Sequence, residues 1–159
     1  MKALINKIAL LALMFVASGC SYKCDNMTIP KTNSDVPTDI PFSEYSFSEP
    51  NCKWTDLSYP HKSEVVVINS SQELENFIIC TETSSIPIID FSKHTLLLAR
   101  GIEPYNIYAA IKSLQQLSAQ DYVMSVELDP NLAAVVTNWQ VAIITRKLAE
   151  GDKVLLQVI

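Results

Sequence analysis

The chain has 159 residues, of which 48% are hydrophobic and 18% charged, with a formal net charge of −5. That length suits one domain with one sizeable core, and 3 Gly and 8 Pro exclude a collagenous or glycine-rich chain. The acidic balance argues against nucleic acid as a partner, because phosphate binding needs a cationic face.

The first residues form an address. Lys2 and Lys7 make a short basic region, residues 8–16 (IALLALMFV) are apolar and uncharged, and Ala17-Ser18-Gly19-Cys20 follows. A positive end, an apolar run too short to span a bilayer and small residues at the cut are the layout of a secretory signal over residues 1–19. A buried helix would carry a polar stripe, and none follows Lys7. Without those two lysines the chain has 10 Lys and Arg against 17 Asp and Glu, a net of −7.

Val16-Ala17-Ser18-Gly19-Cys20 resembles a bacterial lipoprotein box. The resemblance implies that Cys20 carries fatty acyl chains on its sulfur and heads the mature chain. Each buried methylene contributes ~0.8 kcal/mol, so two chains hold where one is marginal. Ser21 stands where an inner-membrane retention signal carries Asp, and no acidic cluster of the surface-export type follows. The resemblance therefore implies an envelope protein on the outer membrane, with the periplasmic face favoured over the cell surface.

Residues 20–60 read as the lipidated cysteine and a tether. Five of the eight prolines lie there (Pro30, Pro37, Pro41, Pro50, Pro60), and proline resists helix and central strand. Its second half is richer in aromatics (Phe42, Tyr45, Phe47, Trp54), which packing against the body explains better than a recognition strip.

The body, residues 61–159, reads as a single α+β domain. Val65-Val66-Val67-Ile68 is a β-branched run and predicts a buried strand. Ser70-Ser71-Gln72-Glu73 matches a capping box, and Leu74, Phe77 and Ile78 recur at helical spacing, which predicts a helix over residues 71–80. Residues 95–99 (TLLLA) are uniformly apolar and predict a central strand. Residues 105–117 fit a helix through Ile107, Ala110, Ile111, Leu114 and Leu117, or a strand through Tyr105, Ile107, Ala109 and Ile111. The alternating YVMSVEL beyond them, at 122–128, favours the strand. WQVAIIT at 139–145 and VLLQVI at 154–159 are the last strands, and Glu150-Gly151-Asp152 between them predicts a hairpin. The expected architecture is one mainly antiparallel sheet of about five or six strands with one helix packed on a face.

The capped helix with Glu73-Leu74, followed by Ile89-Asp90-Phe91-Ser92-Lys93 before an apolar strand, resembles the PrcB-type C-terminal domain family. That family includes small secreted or lipid-anchored bacterial proteins, one of them associated with a protease complex. With Cys52 and Trp54 ahead of the domain, the whole chain also resembles Bacteroidetes lipoproteins. Neither resemblance implies a catalytic residue.

Four cysteines occur, at 20, 24, 52 and 80. With Cys20 acylated in an oxidising compartment, three remain. A Cys52–Cys80 disulfide tying the tether's end to the first helix is the preferred pairing, with Cys24 free or paired between molecules. A metal site is the weaker alternative, since no Cys-x-x-Cys occurs and His61 and His94 are remote from the cysteines in sequence. Asp90, Ser92 and His94 lie too close together to relay as a triad, whose members come from separate segments, and no Gly-x-Ser-x-Gly elbow occurs. Asp90 or Ser92 as a turn cap, with Lys93 at a strand entrance, is the expected use. No pair of acids is singled out for glycoside hydrolysis.

No catalytic constellation, cofactor motif or metal set stands out. The sequence therefore points to a lipid-anchored, non-catalytic binding or assembly module for another envelope component. The rival is a small glycan-binding or glycan-hydrolysing lipoprotein, for which Tyr105, Tyr108, Tyr122 and Trp139 would be stacking platforms. Core packing is the expected use of those four, because they sit within apolar strands.

Overall fold

The computed structural model describes residues 36–47, 51–58, 60–81, 86, 88–131 and 133–159. Residues 1–19, expected from sequence to be a signal, and Cys20 and Cys24 lie outside the described residues. In chain order the elements are β1 (Thr38–Asp39), β2 (Phe42–Tyr45), β3 (Cys52–Trp54), β4 (Glu64–Ile68), α1 (Ser71–Glu75), β5 (Ile78–Cys80), β6 (His94–Glu103), β7 (Ile107–Gln116), β8 (Asp121–Pro130), β9 (Thr137–Arg146) and β10 (Lys153–Val158). Two four-stranded sheets, ordered β1-β7-β8-β10 and β2-β9-β6-β4, carry most of the chain, and β3 and β5 form a small third sheet.

This corrects the expected α+β class: the described residues form a mostly β structure of ten strands, and their one helix is five residues long. The capping box forms as read, with Ser70 Oγ accepting from the Glu73 amide at 3.2 Å. The Glu73 carboxylate reaches one residue further back, accepting from the Asn69 amide at 2.6 Å. The helix stops early because the β-branched Ile78 and Ile79 favour an extended chain and pair antiparallel with β3, Trp54 opposite Ile78 and Cys52 opposite Cys80. The Cys52–Cys80 disulfide joins that last pair, with Cα atoms 4.1 Å apart. In the chain-entropy model, closing a loop of 28 residues stabilises by roughly 3–4 kcal/mol.

The sheet β2-β9-β6-β4 is buried on both faces. Strand side chains alternate between faces, and here both sets are apolar. Leu97 and Ala99 of β6, with Trp139 and Ile143 of β9, join the core shared with the other sheet. Leu96 and Leu98, with Ala142, join a second cluster containing Ile68, Leu74, Ile78 and Tyr45. The uniform run at 95–99 is thus a central strand, as its composition implied. The sheet β1-β7-β8-β10 is buried on one face only: Tyr122, Met124 and Val126 point in, while Tyr108, Ala110 and Glu127 face solvent.

The ambiguous segment after Tyr105 is strand β7, antiparallel to β8, with a bulge at Lys112. The hairpin expected at residues 150–152 does not form. Strand β9 has β6 along one side and β2 along the other, so Thr145 lies opposite both Thr95 and Phe42 and no edge is free there. The chain instead buries Leu148 between the sheets, its amide donating to Thr95 Oγ1 at 3.1 Å. It turns at Gly151 (φ 93°) and lays β10 parallel to β8. Residues 38–54, assigned to the tether on composition, supply β1, β2 and β3 to the folded body.

Gly101 lies opposite Trp139 in the ladder, and a Cβ there would sit 2.7 Å from Trp139 Nε1 and 2.6 Å from Ser63 Oγ. The serine can rotate, but the buried indole has nowhere to go. Gly101→Ala is therefore expected to destabilise the fold by about 1–3 kcal/mol, read as a lower urea midpoint with an unchanged slope.

Candidate functional site

A concavity arises where the N-terminal strands change sheets. Strand β1 pairs with β7 only at Gln115 and Gln116, and the Ile40 amide adds one bond to the Leu114 carbonyl at 2.8 Å. Pro41 then ends the ladder, because it has no amide hydrogen; its carbonyl accepts from Thr145 Oγ1 at 3.1 Å. Ile40 is buried between the sheets, and the chain continues as β2 along residues 142–145 of β9. Among the described residues no strand pairs with the outer edge of β7 at 107–113, nor with β9 at 139–141.

A cleft of about 290 Å³ opens at this seam, lined by residues 44–47, Trp54, residues 109–111 of β7 and residues 140–142 of β9. One wall is aromatic. The Tyr45 and Phe47 rings meet edge to face with centroids 5.6 Å apart, and Phe47 and Trp54 lie 4.9 Å apart. Trp54 is held there by its pairing with Ile78, by the adjoining disulfide, and by the Thr55 amide donating to the Phe77 carbonyl at 2.8 Å. The floor is small and apolar through Ala109, Ala110 and Ala142.

Two polar atoms at this cleft stand out. The Tyr45 hydroxyl and the Gln140 amide nitrogen are buried with no hydrogen-bond partner among the described residues, although buried polar groups are ordinarily paired. Burial pushes the Tyr45 phenol up to about 12. Glu44 lines the rim as an exposed carboxylate, the only carboxylate among the lining residues.

The four aromatics proposed from sequence are not brought together. Tyr122 and Trp139 are each 3% exposed and belong to the core. Tyr108 is exposed on the outer face of its sheet opposite Asp129, and Tyr105 lies in the turn before β7. The cleft is instead walled by Tyr45, Phe47 and Trp54. Their crowding in a proline-rich stretch was the available signal, and Tyr45 and Phe47 share the two-residue spacing of one strand face.

Around Asp90 the arrangement is a turn. Ser92 Oγ donates to Asp90 Oδ1 at 2.5 Å, and Lys93 pairs with Asp90 Oδ2 at 2.8 Å. The Lys93 ammonium and then the Ser92 hydroxyl hold the Asp90 carboxyl at about 2. Ser92 spends its hydroxyl proton on Asp90, so nothing aligns it with His94 as a nucleophile. Among the described residues no three His, Cys, Asp or Glu side chains gather as a metal set.

Comparison with protein-family models, curated proteins and solved structures finds no match.

The raised Tyr45 ionisation carries a sign. Between pH 10 and about 12 the unfolded chain loses the phenolic proton and the folded chain keeps it, so stability falls as pH rises through that window. Tyr45→Phe is expected to lessen this fall while preserving the fold, checked by urea midpoints at pH 9 and pH 11; burial also raises the Tyr122 phenol, which keeps part of the fall.

Proposed function

We propose that the chain is a lipid-anchored envelope protein whose β body is a non-catalytic binding or assembly module for another envelope component. The observation that carries the reading is the cleft itself: an aromatic wall, a small apolar floor and unpaired buried polar atoms at a seam where two strand edges lie open. The leader ending at Cys20 supports the anchor, since acylation there would hold the module at a membrane surface. Hydrolysis of a glycosidic bond needs two facing carboxylates, and the cleft lining offers Glu44 alone. The PrcB-type resemblance adds assembly with a protein complex as the kind of role to look for.

The test is affinity isolation of the full chain from detergent-solubilised membranes, beside Cys20→Ser and Trp54→Ala variants. The expected result is a detergent-phase chain that recovers a reproducible partner, with Cys20→Ser in the aqueous phase. Trp54→Ala is expected to lower recovery by about tenfold, as for an aromatic anchor at an interface. An aqueous full-length chain with its leader attached, or recovery of neither protein nor glycan, would overturn the reading.

A further inference from the structure

We infer that the cleft takes an extended segment of a partner polypeptide, which adds as a strand to the free edge of β7 and sets a lysine or arginine toward Glu44. This rests on the binding-module reading and names the chemistry of the occupant.

An open strand edge presents amide and carbonyl groups at a fixed spacing, and an added strand satisfies them along its length. Strand β7 offers such an edge from residue 107 to residue 111, where the bulge at Lys112 interrupts the ladder. Beyond the bulge, β1 has already taken the edge at Gln115 and Gln116. The seat is thus bounded at one end and about five residues long. Ala109 and Ala110 keep side-chain bulk away from an approaching backbone.

The unpartnered atoms point the same way. The amide nitrogen of Gln140 is a donor, and the hydroxyl of Tyr45 can donate as well; both belong to residues lining this cleft, and Tyr45 is 8% exposed. A peptide backbone brings the carbonyl oxygens that such donors lack. A saccharide meets the aromatic wall but leaves the strand edge unsatisfied.

Charge separates a foreign partner from a second copy. The chain carries a net −5, and Glu44 makes no ion pair among the described residues. Two copies would repel, whereas a cationic segment is attracted and oriented. The Lys112 bulge also blunts the edge against self-pairing, a common device on exposed strands.

The test uses the full chain in detergent micelles. The probe is a blocked heptapeptide of alternating lysine and valine, followed by Trp fluorescence and calorimetry. Three controls accompany it: the same peptide with N-methylated valines, a glutamate-for-lysine version, and a chitin hexasaccharide. The lysine peptide is expected to bind, and both altered peptides at least about tenfold more weakly. Glu44→Lys, an exposed substitution, should reverse the preference between lysine and glutamate peptides. Equal binding of the N-methylated peptide overturns strand addition, as does saccharide binding in place of peptide binding, or a dimer that protects residues 107–111. If a membrane partner is still recovered through Trp54 after such a result, the binding-module reading stands and only the strand-addition inference falls.

Discussion

The structure depends on burying one strand from both sides. Residues 95–99 of β6 have no solvent-exposed surface, and a strand in that position needs an apolar layer above and another below. Each fully buried leucine contributes roughly 1.5–3 kcal/mol, so Leu96, Leu97 and Leu98 together outweigh any single contact elsewhere in the molecule. One cover is the sheet β1-β7-β8-β10. The other is the small layer of α1, β3, β5 and the aromatics Tyr45, Phe47 and Trp54, in which Cys52–Cys80 ties β3 to β5.

The position of the cleft follows from that layering. A segment that must serve first one sheet and then the other crosses between them, and Ile40-Pro41 is the crossing. The crossing leaves strand edges uncovered on the far side, while the outer layer brings Trp54 and Phe47 up beside them. An exposed edge is ordinarily a hazard. Here it lies beside an aromatic wall and an exposed carboxylate, and it is cut short by a bulge, which suits a selective seat better than a general one.

Sequence reasoning reached the features governed by local chemistry. The apolar run at 95–99 reads as central because nothing in it tolerates water, and the Ser70 cap reads from residues within one turn. The Cys52–Cys80 pairing is legible in the sequence, but the bond joins two short strands and not a tether to a helix. The failures are non-local. Leu74, Phe77 and Ile78 fit helical spacing, but only pairing with β3, more than twenty residues away in sequence, turns Ile78 and Cys80 into a strand. The Glu150-Gly151-Asp152 turn is real, yet a hairpin needs a free edge on β9, and residues near position 42 had already occupied it. The cleft was illegible for the same reason, since its walls come from four separated stretches of chain.

Two-sided burial of β6 beside an open edge on β7 is most directly tested by residue-resolved amide hydrogen exchange on the folded chain. The account predicts that Leu96, Leu97 and Leu98 exchange only through global unfolding. Along β7, the amides at 107–111 that point away from β8 should exchange orders of magnitude faster than their neighbours bonded to β8. Uniform protection along β7, or rapid exchange in β6, would contradict it.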